Sequence, residues 1–375
     1  MPFRTLTNSV VFLAVLMTAA ALPSAAQGKT GATLVATIPA DQFPVAVAIN
    51  SKTRKAYVAN NTGGNVTIID ERTNASKTIS DIGGSFANAI AVNTVTNKIY
   101  VANTESGNVL VIDGATNRRV EVSDPNGGFP LSIAVDPGLN KIYVGNYTTN
   151  NVTVIDGKTN ATTTVTDPNA QGPRCVAVNP ITHKVYLGND ISGNITIIDG
   201  LTNAVSTAGD PNAFSPFAVD VNPITNKIYF ANFSSSNITV LDGATNSTTT
   251  VTDPNSFNPV GIAVNPVTNK IYAAAQFPAN VTVIDGATNQ VTTVTNPKAN
   301  QGQAIAVDTS ANKVYMANFL SGNVTVVDGT TDQLSATVTD PKAIAPYAVR
   351  ADPLTHRVFV ANSGSANVTV LDGSR

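Results

Sequence analysis

The feature that most restricts what this chain can fold into is its period. A tyrosine recurs as Tyr57, Tyr100, Tyr143, Tyr186, Tyr229, Tyr272 and Tyr315, each 43 residues after the last, and Phe359 follows after 44. An aspartate keeps step with it, as Asp70, Asp113, Asp156, Asp199, Asp242, Asp285, Asp328 and Asp372. Eight copies of one unit therefore run from near Lys55 to the C-terminus, and the fold of the unit decides the fold of the chain.

Residues 259–297 serve as a worked unit. The apolar segment VGIAVN precedes Pro266, and Asn269 to Ala274 is a run of β-branched, aromatic and small residues. Asn280 to Ile284 alternates apolar and polar side chains, Asp285-Gly286 with Thr288-Asn289 supplies hairpin chemistry, and Gln290 to Thr295 alternates again. Each unit thus holds four short strands. No window carries an apolar period of 3.6 over ten residues, so almost no helix is expected. Four antiparallel strands per 40 to 45 residues make a propeller blade, which buries its two faces only by stacking between neighbours around an axis.

The innermost strand supports that geometry. Eleven residues before the anchor aromatic the copies read Ala46, Ala89, Ser132, Cys175, Ala218, Gly261, Ala304 and Ala348. Nine before it they read Ala48, Ala91, Ala134, Ala177, Asp220, Ala263, Ala306 and Arg350. Crowding near an axis demands small side chains. The eighth copy stops after its third strand, at Asp372-Gly373-Ser374-Arg375. The segment ATLVATIPADQFP, residues 32–44, matches the missing piece, because Pro39 and Pro44 repeat the spacing of Pro125 and Pro130, and of Pro168 and Pro173. Residues 32–38 are expected to form the outer strand of the last blade and so cover its open edge. The expected fold is all-β: one eight-bladed propeller over residues 27–375, with seven blades as the alternative.

The first residues carry Arg4, an apolar run from Val10 to Leu22, and small residues at Ser24, Ala25 and Ala26. That order predicts a secretory signal over residues 1–26 and a mature chain of 349 residues. The run is too short to span a bilayer comfortably, and no other stretch is long and apolar enough to try. A single cysteine, Cys175, cannot form an internal disulfide, and a buried inert thiol is expected. Net charge is −2 with no basic run, which argues against nucleic acid as a partner.

The words NPVTNKIY (Asn265 to Tyr272), YVAN (Tyr57 to Asn60 and Tyr100 to Asn103), GNVTVVDG (Gly322 to Gly329) and DGATN (Asp285 to Asn289) are similar to those of the YVTN family of β-propeller repeats, found in surface-layer and secreted proteins. The resemblance covers nearly the whole chain after the signal. One letter departs: the third residue of the tetrapeptide is Ala or Gly, never Thr. Membership would imply an exported propeller, often at the cell surface, with no shared catalytic motif. Seven blades are common among such proteins. A more distant likeness to propeller lactonases and virginiamycin-type lyases is architectural only.

The candidate chemistry is sparse. His183 and His356 occupy one turn position in copies four and eight, where five other copies carry Asn, and opposite places in a ring cannot share a metal. The Asp of each VIDG turn is read as an acceptor of backbone N–H bonds in its hairpin, and no metal or cofactor is expected. The N-x-T triplets, such as Asn151 and Asn280, are repeat-encoded strand starts that also match a glycosylation acceptor.

Function is sought where the copies disagree. Twelve residues before the anchor they read Val45, Asn88, Leu131, Arg174, Phe217, Val260, Gln303 and Tyr347. Four after it they read Asn61, Thr104, Tyr147, Asp190, Phe233, Gln276, Phe319 and Ser363. Both columns are expected at one end of the propeller, at the mouth of its channel. The candidate site combines Arg174, Asp190, Phe217 and Tyr347 with the rim aromatics Tyr147, Phe233 and Phe319, and with the channel charges Asp220 and Arg350. Aromatic faces beside hydrogen-bonding groups suit a glycan or an extended peptide. The expected protein is a monomeric, non-catalytic binding or scaffold module, secreted, periplasmic or at the cell surface, with a protein or glycan partner at the envelope. The alternative is a lactonase- or lyase-like enzyme using Asp190 or Asp220 as base and Arg174 as stabiliser.

Overall fold

The computed structural model describes residues 31–80 and 84–374. The segment 1–26, read above as an export signal, lies outside the described residues. Thirty-two strands form eight antiparallel four-stranded sheets, and no helix is present among the described residues. Accordingly none of them belongs to a helix long and apolar enough to cross a membrane. Seven blades follow the chain from the axis outward. Blade four, for example, runs Pro173–Val178, Lys184–Asn189, Asn194–Asp199 and Val205–Gly209. The eighth combines Pro346–Ala351, Arg357–Asn362 and Asn367–Asp372 with Thr33–Pro39.

Strand Thr33–Pro39 pairs antiparallel with the third strand of blade eight, from Thr33 opposite Asp372 to Pro39 opposite Asn367. It lies one residue further along than the expected 32–38. Ile38 turns inward, 3% exposed, while Leu34 on the same strand is 39% exposed. The closing strand is thus held by packing as well as by its ladder.

The middle strands of each blade are buried on both faces, as in KIYVAN and NVTVID, because neighbouring blades cover them from either side. The result is one apolar cluster per seam. Tyr229, Ile238 and Val240 of blade five meet Ile262, Ile271 and Ile284 of blade six. Phe359, Val368, Val370 and Ile38 of blade eight meet Val47, Val58 and Ile69 of blade one. Eight such clusters join eight blades in a closed circle, which excludes both seven blades and an open stack. Each buried Val or Ile contributes about 1.5–3 kcal/mol of transfer free energy, so the seams are the main source of cohesion.

Polar side chains stitch the same seams at both ends. On the lower face Asn50 donates to the Asn97 side chain of the next blade at 2.8 Å. Asn97 stands at φ +54°, a conformation asparagine tolerates, in the turn between first and second strands. Asp136, Asp308 and Asp352 replace the donor asparagine in three blades, and opposite the first two the acceptor position carries His183 and His356, with Nδ1 2.8 Å from Oδ2. The two histidines are therefore seam residues. Gly114 of the hairpin turn is required by the same contact, since a Cβ there would lie 2.5 Å from Asn97 Oδ1.

At the upper end Asp124, Asp167, Asp210, Asp253, Asn296 and Asp340, each just after an outer strand, reach into the next blade. Asp124 accepts hydrogen bonds from Thr153 Oγ1 at 2.8 Å and Thr164 Oγ1 at 2.9 Å, and Asn146 donates to both Asn151 and Thr153 at 2.8 Å. The Asn and Thr of the N-x-T words that open the third strands, such as Asn151-Val152-Thr153, are thus parts of an interior network. Asn151 Nδ2, the atom a glycan would be joined to, donates to Asn126 O at 2.8 Å, and Asn280 Nδ2 does the same to Asn255 O. The exposed hairpin aspartates behave as the sequence indicates. Asp113 accepts from Thr116 N at 2.8 Å, from Thr116 Oγ1 and from Ala115 N, and these bonds hold its carboxyl below the usual range.

Candidate functional site

Every inner strand opens with an irregularity at the same place. Pro173 pairs with Asn189 and Cys175 with Gly188, so Arg174 is an extra residue with no partner of its own in the ladder. The shift recurs at Val45, Asn88, Leu131, Phe217, Val260, Gln303 and Tyr347. Bulges re-aim side chains. Here they turn the column in which the repeats disagree into the channel mouth, where all eight residues line one cavity of about 330 Å³.

Two clusters form on this rim. In the first, Arg174 Nη1 lies 3.3 Å from Asp190 Oδ2, and Tyr147 donates to the same carboxylate at 3.2 Å. Ser215 donates a short bond to Asp190 Oδ1. The Arg174 guanidinium stands over Phe217, 3.6 Å from the ring centroid, and Phe217 packs on Phe233 with centroids 5.6 Å apart. Side chains of blades three, four and five thus make one continuous surface, charged at one end and aromatic at the other. Burial, with Asp190 nearby, raises the Tyr147 phenol above its usual pKa. In the second cluster Tyr347 lies between Phe319 and Phe43, 6.3 Å from each. These side chains come from blades seven, eight and one, so the clusters face each other across the mouth.

The column four residues after the anchor is placed by a backbone bond. Tyr147, Asp190, Phe233 and Phe319 each donate their N–H to the residue just before the first residue, proline or its equivalent, of their own blade's inner strand, for instance Asp190 N to Gly172 O at 2.8 Å. That acceptor column reads Phe43, Phe86, Phe129, Gly172, Ser215, Asn258, Gln301 and Ala345, and every member has positive φ. Three phenylalanines in the left-handed region are unusual for bulky residues, and such strain clusters at functional positions. Phe43, Phe86 and Phe129 are also exposed, and they extend the aromatic rim over blades one to three. Sequence reasoning missed this column and Ser215. Gly172 and Asn258 within it were the available sign of a left-handed position.

The channel charges are arranged differently. Asp220 accepts from the backbone N–H of Val221 and of Val264, both at 2.8 Å. Enclosure raises its pKa, opposed by those amides and by Arg350. Arg350 makes no ion pair within 4 Å among the described residues, and its one hydrogen bond is to Val349 O at 3.3 Å. The two charges share one lower compartment, and Arg350 also lines the mouth cavity above it.

Cys175 is buried, and burial pushes its thiol up to about 12. Among the described residues no three His, Cys, Asp or Glu side chains come together as a metal group would require. Fold and site define an eight-bladed β-propeller whose variable residues are gathered at one channel mouth. No protein-family model matches the chain, and no curated protein matches it.

Proposed function

We propose that this protein is an exported, non-catalytic binding module of the YVTN type, monomeric, that takes a protein or glycan partner of the cell envelope at its channel mouth. The observation that carries the proposal is the bulge column. In a ring of near-identical blades, the side chains free to differ are the ones a backbone irregularity aims into the mouth, and they assemble into two aromatic clusters. The Arg174, Asp190 and Tyr147 group offers directed polar contacts beside the Phe217 and Phe233 faces, the composition that recognises sugar rings and peptide groups. Export rests on the N-terminal sequence pattern alone, and the YVTN reading on the repeat words.

The test is affinity capture from the native envelope with residues 27–375 as bait. A triple variant with Arg174→Ala, Phe217→Ala and Tyr347→Ala is expected to lose the partner while keeping its circular dichroism and melting temperature. Capture undiminished in that variant would refute the mouth as the binding site. The exported protein is expected to have the mass of residues 27–375.

A further inference from the structure

Below the mouth, the channel is walled by small and aliphatic side chains. Its second compartment, about 370 Å³, is lined by Val219, Ile262, Val264, Ile305 and Val307, with Asp220 and Arg350 as its charges. Six of eight blades carry Ala where these two stand. Arg350 lines both compartments, so its side chain lies at the boundary between them.

A charge in such surroundings needs a partner. Asp220 has one, since each of its carboxylate oxygens accepts a backbone amide. Arg350 has a single long bond to the carbonyl of its own neighbour, which leaves most of its five donors directed at channel solvent. Protein surrounds the guanidinium closely enough for desolvation to lower its pKa, yet it remains open to solvent along the axis. An arginine fork that is enclosed, accessible and unpaired is a receptor for a planar oxyanion.

We propose that Arg350 makes the lower channel a binding site for a monocarboxylate whose apolar portion lies along the aliphatic wall. The site deepens the binding reading, which it rests on, by naming the group of a ligand that passes the mouth. Asp220 decides between anions. With Asp220 ionised the compartment is neutral before binding, so a carboxylate brings one net negative charge and a phosphate dianion two. Between aliphatic walls that hold little water the second charge is disfavoured.

The experiment is calorimetric titration of the purified full-length mature chain with butyrate, ionic strength being held with sodium chloride. Phosphate and 1-butanol serve as comparisons. Saturable butyrate binding is expected, with no saturation by 1-butanol and weaker binding of phosphate. Arg350→Ala restores the residue that six blades carry, and it should weaken butyrate by about tenfold or more, as loss of a charge-assisted pair does. Arg350→Gln should weaken it likewise, and Asp220→Asn should tighten it. Failure of butyrate to saturate the wild-type chain overturns the site, as does binding unchanged in both Arg350 variants. Phosphate binding as tight as butyrate overturns the monocarboxylate assignment. The titration needs no envelope partner, so its failure is separable from failure of the mouth reading.

Discussion

Ile38 tests the closure of the ring. It is 3% exposed and packs in the seam cluster with Val47, Val58, Val368 and Val370, joining blade eight to blade one. Ile38→Ala removes three buried carbons, about 2.4 kcal/mol of transfer free energy at ~0.8 kcal/mol each. The cavity left behind adds to this, because the surrounding strands relax only in part, and the expected total is about 3–4 kcal/mol. Leu34 is the control. It lies on the same strand with the same ladder, but it is exposed, and Leu34→Ala should cost less than about 1 kcal/mol. Equilibrium unfolding in urea, with the slope compared between variants, measures both. If the two substitutions shift the midpoint equally, residues 33–39 are not packed against the last blade and the sealed circle is wrong.

Two further predictions concern the seams. Asp210 accepts from Thr239, Thr250 and Asn212 N, so Asp210→Ala leaves buried donors unsatisfied and should cost about 2–4 kcal/mol in urea unfolding. Asp210→Asn should cost under about 1.5 kcal/mol, because Asn296 already occupies this position in another blade, donating to Thr325 and accepting from Thr337. Glu71, where seven other hairpins have glycine, is buried against blade eight and accepts from Thr355 at 2.9 Å. Burial, with Asp352 beside it, raises its carboxyl from 4.5 to about 7. A raised carboxyl destabilises the folded state as it ionises: the penalty is absent below about 4.5, grows as pH rises, and is complete above about 7. The full shift corresponds to about 3 kcal/mol, which solvent screening at the turn reduces to roughly 1–2. Glu71→Gln should raise the melting temperature at pH 8 relative to wild type and leave it unchanged at pH 4.5. An equal change at both pH values would refute the ionisation account.

Much of the candidate site was legible in the repeats. The columns that place Arg174 and Asp190 were found by asking where copies differ, and their contact follows from the pairing of first and second strands. The Phe43 column escaped because a left-handed backbone is a property of φ, and only Gly172 and Asn258 hinted at it. The histidine pair shows the opposite limit. The turn position was readable, but its purpose was not, since Asp136 and Asp308 lie 47 and 48 residues away on neighbouring blades. The N-x-T words were read correctly as strand starts, but the partners of their asparagines were not readable, because the accepting carbonyls lie in turns 25 residues earlier in the chain.

By itself, the amino-acid sequence determined the blade and the strand that seals the ring, and it showed eight copies; that eight blades and not seven close the circle was decided by the seams. The blade and the sealing strand are carried by residues close together in the chain: hydrophobic alternation, turn chemistry and a proline spacing that identifies the displaced outer strand. Only the tertiary structure decided that the variable column is a bulge, that two aromatic clusters oppose each other, and that Arg350 stands unpaired above Asp220's backbone bonds. Those facts depend on how far the channel walls lie apart and where a bulge turns each side chain, and both are consequences of ring closure that no local stretch of sequence contains.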